Sequence, residues 1–142
     1  MQGQLDPIQL MRKIAELEDK INAMRTIEIG GVWQNWTPVP TAEAGTLTTV
    51  SASGKYAKIG KVVAVQLVIT ITTNGTGSGA IRSNLPINND FVTIITGRET
   101  NATGKLLQGL INSNAINIYN YDNTYPGGDG HTLYMTGIYS IE

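Results

Sequence analysis

The residues with the clearest chemical potential lie in one short segment, YNYDNTYPGGDGH, at residues 119–131. Its aromatic rings offer flat apolar platforms, and its amides and carboxylates offer planar hydrogen-bonding groups, as a saccharide site requires. The alternative is a tyrosine-rich strand that packs against its neighbour and ends in an ordinary turn. The candidate ligand-binding residues are Tyr119, Tyr121, Asp122, Asn123, Tyr125, Asp129 and His131.

Catalysis finds little support in the same segment. His131 is the only histidine, and with Asp129 it would make half of a catalytic pair. Nucleophilic catalysis also needs a positioned nucleophile, but the chain has no cysteine and no GxSxG motif. Glycoside hydrolysis needs two carboxylates across a cleft, whereas the acids after residue 30 fall mostly in predicted turns. We therefore expect a protein that is not an enzyme, with no catalytic residues.

Metal and phosphate motifs are weak as well. Asp122, Asn123 and Asp129 carry the oxygen ligands that calcium prefers, but their spacing does not match an EF-hand loop. The glycines of NGTGSG, at residues 74–79, are followed neither by a helix nor by Lys-Ser/Thr, as a phosphate loop requires. The sequence predicts no metal site and no cofactor.

Charge and hydropathy restrict the partners and the compartment. A formal net charge of -1 gives no electrostatic footprint for nucleic acid or an anionic membrane. The N-terminus, MQGQLDPIQLMRKI, lacks the basic start and apolar core of a signal peptide. The apolar run at residues 62–71 falls short of the roughly 18 residues that a membrane span needs. We expect synthesis in the cytoplasm without a signal peptide, no nucleic-acid partner and no membrane insertion.

A helix is predicted at residues 6–26, with Asp6 as N-cap and Pro7 at the first helical position. Apolar residues then recur at spacings of 4, 3, 4 and 3, which is the a/d stripe of a coiled coil. The stripe is narrower than the apolar face of a helix packed on its own domain. It predicts self-association, and its residue types at a and d favour a dimer. Its members are Leu10, Ile14, Leu17, Ile21 and Met24.

The two tryptophans of the chain, Trp33 and Trp36, lie in a predicted junction at residues 27–36. A pair of indole rings can stack on a sugar. We favour a structural role, in which the rings fill the space between a helical stalk and a β head where several chains converge. Both tryptophans are therefore counted among the oligomerisation residues.

From residue 37 onward the apolar pattern has period two, interrupted by turn signals rich in Gly, Asn and Pro. Short strands at this spacing predict a mainly β fold, an antiparallel β-sandwich of the jelly-roll type. The strands are expected near residues 46–51, 54–60, 61–73, 79–85, 91–98, 104–111, 115–121 and 131–141.

The strand at residues 61–73 is unusually long and has two different faces. One face, which carries Val63, Leu67 and Ile71, is continuously apolar and predicts core. The other face, which carries Val62 and Gln66, is half apolar, more than solvent exposure requires. We interpret this second face as a contact with a neighbouring chain.

Several stretches resemble a known family. They are Trp-Thr-Pro at 36–38, GKYAKIGKVV at 54–63, Leu-Pro at 85–86 and LYMTGIY at 133–139. They are similar to the C-terminal β domains of tailed-bacteriophage fibre, baseplate and receptor-binding proteins, over about residues 33–142. The resemblance implies a homotrimer with three sandwich heads below a short helical bundle, displayed on the virion and contacting host cell-surface saccharide. It supplies no universal binding motif.

Taken together, these patterns predict a coiled-coil stalk or attachment segment at 1–26, a junction at 27–36 and a β-sandwich head at 37–142. The predicted function is that of a virion receptor-binding protein of fibre or baseplate type, which adheres to host saccharide through distal loops. Its helix is expected to attach it to other virion proteins. The alternative is a purely structural virion component, such as a fibre, collar or capsid decoration protein, without ligand binding.

Overall fold

The computed structural model describes residues 4–28 and 31–142. The chain divides into two units, Met1–Val32 and Trp33–Glu142. Residues 29 and 30 of the predicted junction lie outside the described residues. We refer to Trp33–Glu142 as the β unit.

Helix α1 spans Pro7–Glu28, which confirms the predicted N-terminal helix. Its start is a capping box. The Gln9 amide N–H donates to Asp6 Oδ1 at 2.8 Å, and the Asp6 N–H donates to Gln9 Oε1 at 3.4 Å. All side chains at residues 4–24 are exposed, so the predicted a/d stripe has no covering in one chain. Neither α1 nor any other helix among the described residues is apolar enough over a sufficient length to cross a membrane.

The β unit is a nine-stranded antiparallel sheet with the order β1-β3-β4-β9-β6-β7-β8-β5-β2. The last strand in sequence, β9, lies in the middle, and the first two strands form the two edges. The strands are β1 (Gln34–Trp36), β2 (Thr41–Ala44), β3 (Thr49–Ile59), β4 (Val62–Thr73), β5 (Ser78–Asn84), β6 (Thr93–Glu99), β7 (Leu106–Asn112), β8 (Ala115–Asn120) and β9 (His131–Ser140).

The short connection between β1 and β2 shows that this sheet curls strongly. In a flat sheet the two edges of nine strands would lie about 38 Å apart. Trp36 and Thr41, however, are five residues apart in sequence, which limits their separation to about 18 Å. The link between them is anchored by a 2.8 Å hydrogen bond from the Val39 N–H to Asn84 Oδ1 on β5. The two edges are therefore brought towards each other.

The concave side of the curled sheet holds the core. On β4 the side chains alternate, and Val63, Leu67 and Ile71 are completely or almost completely buried. Residues of β5, β6, β7, β8 and β9 join the same cluster, including Ile81, Ile95, Leu107, Ile111, Ile116, Ile118, Leu133, Met135 and Tyr139. The predicted core face of the long strand is confirmed by this burial.

The structure refines the predicted strands. The segments predicted at 46–51 and 54–60 form one strand, β3, because Gly54 continues the ladder opposite Leu67. A mainly β, antiparallel fold with one N-terminal helix is confirmed. All nine strands belong to one hydrogen-bonded sheet, and a sandwich or jelly roll is not established by this pairing.

Candidate ligand-binding site

The predicted site residues lie at one end of the β unit, where β4, β6 and β8 finish. We call this the loop end; it comprises residues 74–77, 100–105 and 121–130. Two hydrogen bonds hold its longest loop in place. Gly130 N–H donates to Ile71 O on β4, and Asn101 Nδ2–H donates to Gly130 O at 2.7 Å. The seven predicted residues separate here into two groups with different surroundings.

Tyr125, Asp129 and His131 form the first group, which is engaged within the protein. The Asn74 N–H donates to Asp129 Oδ1 at 2.7 Å, and the Tyr125 hydroxyl donates to Asn74 Oδ1 at 2.6 Å. His131 Nδ1 lies 2.9 Å from Pro126 O and must donate, since a carbonyl oxygen only accepts. Asp129 and His131 thus have different partners and do not form a catalytic pair. This group fixes the loop end.

Burial raises the pKa of the half-buried Tyr125, as expected for a phenol that remains neutral and donates a hydrogen bond. We expect Tyr125→Phe to lower the free energy of unfolding by about 1 kcal/mol, because Asn74 Oδ1 loses its donor. Urea unfolding followed by circular dichroism measures the change. Tyr121→Phe is the matched control, since Tyr121 is 64% exposed. Equal stability of the two variants would show that the Tyr125 hydroxyl does not support the loop.

Tyr119, Tyr121, Asp122 and Asn123 form the second group, which faces outward. Tyr119 lies on the convex face of β8, opposite Gln108 on β7. Gln108 Nε2–H donates to Asn123 Oδ1 at 2.5 Å and to Asn120 O at 3.2 Å, which holds both amides beside the ring. A hollow of about 120 Å³ lies between Tyr119, Asn123, Gln108 and the neighbouring Ile94 and Leu110.

Asp122 is the charged member of this outward group. Hydrogen bonds from the Thr124 hydroxyl and backbone, together with the nearby Lys105 ammonium, lower the pKa of Asp122. Lys105 Nζ lies 3.7 Å from Asp122 Oδ2. Asp122 therefore remains ionised and shapes the turn after β8, next to the exposed Tyr121 ring. In the described part of the chain, no cluster of three or more His, Asp or Glu side chains is arranged to hold a metal ion.

Glu99, the last residue of β6, borders the loop end and is not among the predicted site residues, because the sequence places it with the acids of predicted turns. Its side chain is fully buried at the end of β6. Its carboxylate accepts hydrogen bonds from the backbone N–H groups of five residues and from the Thr103 hydroxyl. The five are Asn101, Ala102, Thr103, Gly104 and Thr132. The signal in the sequence is the Asn-Ala-Thr-Gly loop that follows the acid within five positions.

The pKa of Glu99 reflects this arrangement. Burial by itself would raise the pKa, but the backbone hydrogen bonds from Thr103, Thr132, Asn101 and Ala102 favour the charged form more strongly. The pKa is therefore held well below its ordinary value of 4.5. The buried charge of Glu99 therefore organises the loop at residues 101–104, which neighbours the outward group.

The predicted oligomerisation residues also divide by environment. Leu10, Ile14, Leu17, Ile21 and Met24 are each 45–57% exposed on α1, and Trp33 is 48% exposed. Trp36 is half-buried and packs against the core of the β unit, with its ring over Gly54. Its indole N–H is buried and has no hydrogen-bond partner within the described residues. Trp36 thus contributes to the fold of a single chain.

The fold of the chain is similar to that of a solved bacteriophage protein. One solved structure of this fold is the receptor binding protein (gp15) of Listeria phage PSA. It matches with a TM-score of 0.58 and 17% sequence identity, over 99% of this chain and 83% of that chain. No family model matches the chain, and no curated protein matches its sequence. The expected resemblance to phage receptor-binding proteins is confirmed at the level of fold.

Proposed function

We propose that the protein is a bacteriophage virion component that attaches the particle to saccharide on the host cell surface. The observation that carries this proposal is the fold it shares, over 99% of its length, with a phage receptor binding protein. Attachment requires binding and no bond making or breaking, in keeping with Asp129 and His131 being engaged in the loop structure. The protein acts without a cofactor.

The outward group at the loop end is the proposed contact with the saccharide. The Tyr121 ring is 64% exposed and provides an apolar platform. Asp122 and Asn123 lie on the same turn, and Asn123 accepts a hydrogen bond from Gln108 on the neighbouring β7. These groups offer acceptors and donors for sugar hydroxyls. Tyr125, Asp129 and His131 support this turn from the inside.

The proposed assembly is a homotrimer joined through α1 as a short coiled coil, and α1 also docks the protein on other virion proteins. The exposed stripe supports self-association, since exposed apolar residues at a and d require a covering. We also propose that the curled sheet is a flattened sandwich of jelly-roll type. In support, core residues of β4 and β8, such as Leu67 and Ile118, belong to one cluster.

A direct test of attachment uses fluorescently labelled protein on a panel of bacterial strains that includes Listeria. We expect saturable labelling of at least one strain, and loss of labelling by roughly tenfold for Tyr121→Ala. Tyr125→Phe serves as the control, because it alters the inside of the same loop. A wild-type protein that labels no strain and retains no purified wall glycan would refute the proposal. If it nevertheless assembles into virions whose adsorption is unchanged by Tyr121→Ala, the purely structural alternative holds.

The oligomer is tested separately by light scattering coupled to size-exclusion chromatography. We expect a mass three times the 15.3 kDa of one chain. The double variant Ile14→Asp/Ile21→Asp should reduce the mass to that of a monomer, because two charges per chain then face each other in the seam. Ile8→Asp is the matched control, since Ile8 is exposed but lies outside the a/d stripe. A wild-type monomer or dimer would contradict the trimer.

A further inference from the structure

One row of side chains crosses the convex face of the sheet from β8 to β1. The register places its members directly opposite one another on seven consecutive strands. All of them are polar or carry a hydroxyl. We call them the polar row: Tyr119, Gln108, Thr96, Thr136, Gln66, Lys55 and Asn35.

Most of the polar row is unengaged by the protein itself. In the part of the chain that the structure describes, the side chains of five members make no hydrogen bond to protein atoms. These five are Thr96, Thr136, Gln66, Lys55 and Asn35, and all are exposed. Gln108 is oriented by its bonds to Asn123 and Asn120. The row therefore presents donors and acceptors to solvent along its whole length.

A second row runs beside it and supplies aromatic and apolar surface. Arg98 on β6 lies opposite Tyr134 on β9, and Tyr134 lies opposite Val68 on β4. At the β7 side the row continues through Leu106 to Tyr121, whose N–H donates to Leu106 O. Tyr134 is 48% exposed. Sugar rings bind to this combination of a flat apolar surface and adjacent planar polar groups.

Three hollows lie along the two rows. The hollow at Tyr119 and Gln108 measures about 120 Å³. A second, of about 520 Å³, is lined by Arg98, Tyr134, Thr136 and Gln66, among others. A third, of about 370 Å³, shares Gln66 and continues to Lys55 and Asn35. The hollows lie where small residues alternate with larger ones. Together they form a discontinuous trough across the strands.

The length and charge of the trough restrict its ligand. Six strand spacings of about 4.8 Å give a path of about 29 Å, longer than one or two sugar rings. Lys55 and Arg98 are its charged members, and neither row contains an acidic residue. The carboxylate at the end of the trough, Asp122, is paired with Lys105, whose Nζ lies 3.7 Å from Asp122 Oδ2. The fixed positive charges of the two rows therefore favour an anionic ligand. A second copy of the chain, the contact that the sequence of β4 predicts for this face, fits less well, because the centres of subunit interfaces are depleted of charged groups, including lysine.

We infer that the two rows bind an extended anionic oligosaccharide, whose carboxylate or phosphate groups contact Lys55 and Arg98. This inference rests on the proposed function and extends the site from the loop end, at Tyr119 and Tyr121, across the convex face to β1. The turn at residues 121–123 then forms one end of a longer groove.

The test compares Lys55→Ala/Arg98→Ala with Lys61→Ala on a strain that the wild-type protein labels. Lys61 is the matched control, because it is an exposed lysine in the β3–β4 turn, away from both rows. We expect the double variant to bind at least about tenfold more weakly and with a smaller salt dependence, while Lys61→Ala binds like wild type. Unchanged thermal unfolding and mass establish that the double variant is folded and assembled.

Treatment of the cells identifies the anion. Hydrofluoric acid cleaves phosphodiesters, and carbodiimide coupling to an amine neutralises carboxylates. Loss of wild-type labelling after one treatment assigns the ligand to that source and supports the inference.

Four outcomes overturn it. Labelling that survives both treatments shows a neutral ligand. Wild-type affinity of Lys55→Ala/Arg98→Ala refutes the groove while leaving the receptor-binding function intact. A smaller mass for that variant identifies the face as a subunit interface instead. If the wild-type protein labels no strain at all, the proposed function fails, and this inference fails with it.

Discussion

Replacing Glu99 by Gln is expected to lower the free energy of unfolding by about 3–5 kcal/mol. The buried carboxylate accepts hydrogen bonds on both oxygens, so the amide must direct its NH₂ group at one set of donors. The N–H groups of Thr103 and Gly104 then face the NH₂ group of the new amide. In the wild-type protein they donate to Glu99 Oε2. This cost is a large share of the stability of an ordinary domain, which is about 5–15 kcal/mol.

The pH dependence follows from the direction of the pKa shift. Because the folded pKa of Glu99 lies below its unfolded value, the unfolded chain takes up a proton more readily in acid. The stabilisation is complete above about pH 5 and is lost progressively as the pH falls. Wild-type protein should therefore lose stability between about pH 5 and 3 more steeply than Glu99→Gln, which binds no proton at this position.

Urea unfolding at matched protein concentration, followed by tryptophan fluorescence, measures both effects. The control is Glu43→Gln, which removes an exposed carboxylate on β2. We expect Glu43→Gln to stay within about 0.5 kcal/mol of wild type. A similarly small effect for Glu99→Gln would contradict the role assigned to the buried charge. So would an equal loss of stability in acid for the wild type and Glu99→Gln.

Gly137→Val is expected to destabilise the protein by about 3 kcal/mol or more, although valine favours strands. A Cβ atom at position 137 would lie 2.1 Å from Ile95 Cγ2 and 2.5 Å from Ile95 Cβ, inside the core. The gain from β propensity is at most about 1 kcal/mol, so the steric term decides the sign. Thermal unfolding by circular dichroism checks the prediction.

A double-mutant cycle identifies the cause. Gly137→Ala crowds Ile95, whereas Ile95→Ala opens the space that the new methyl group needs. The two together should cost less than the sum of the single variants by at least about 1 kcal/mol. Additive effects would show that the glycine is required for a reason other than contact with Ile95.

The period-two pattern was sufficient to predict most of the sheet, because burial on one face forces alternation. It predicted β4 and its core face correctly, since each apolar side chain there enters the core. It missed β1 and β2, which have only three and four residues and are held by pairing with distant strands. The break predicted between residues 51 and 54 is absent, because the ladder of β3 with β4 continues through these residues, with the Trp36 ring over Gly54.

Site prediction was limited by the same long-range contacts. The aromatic and Asp/Asn content located the loop end, but Tyr125 and Asp129 are engaged by Asn74, more than fifty residues earlier. The polar row depends on the register of seven strands, and members such as Gln66 and Thr136 have no unusual sequence context. Strand order is set by the whole core, and a single sequence does not display it.

The position of β9 has a kinetic consequence. Among the strands that the structure describes, β9 alone pairs with both the β1-β3-β4 and the β6-β7-β8-β5-β2 portions of the sheet, yet the ribosome makes it after the other strands. Until it emerges, the edges of β4 and β6 stay unpaired and are open to pairing with another nascent chain. We expect folding to finish only after β9 has been synthesised, slowly because its contacts are far apart in sequence.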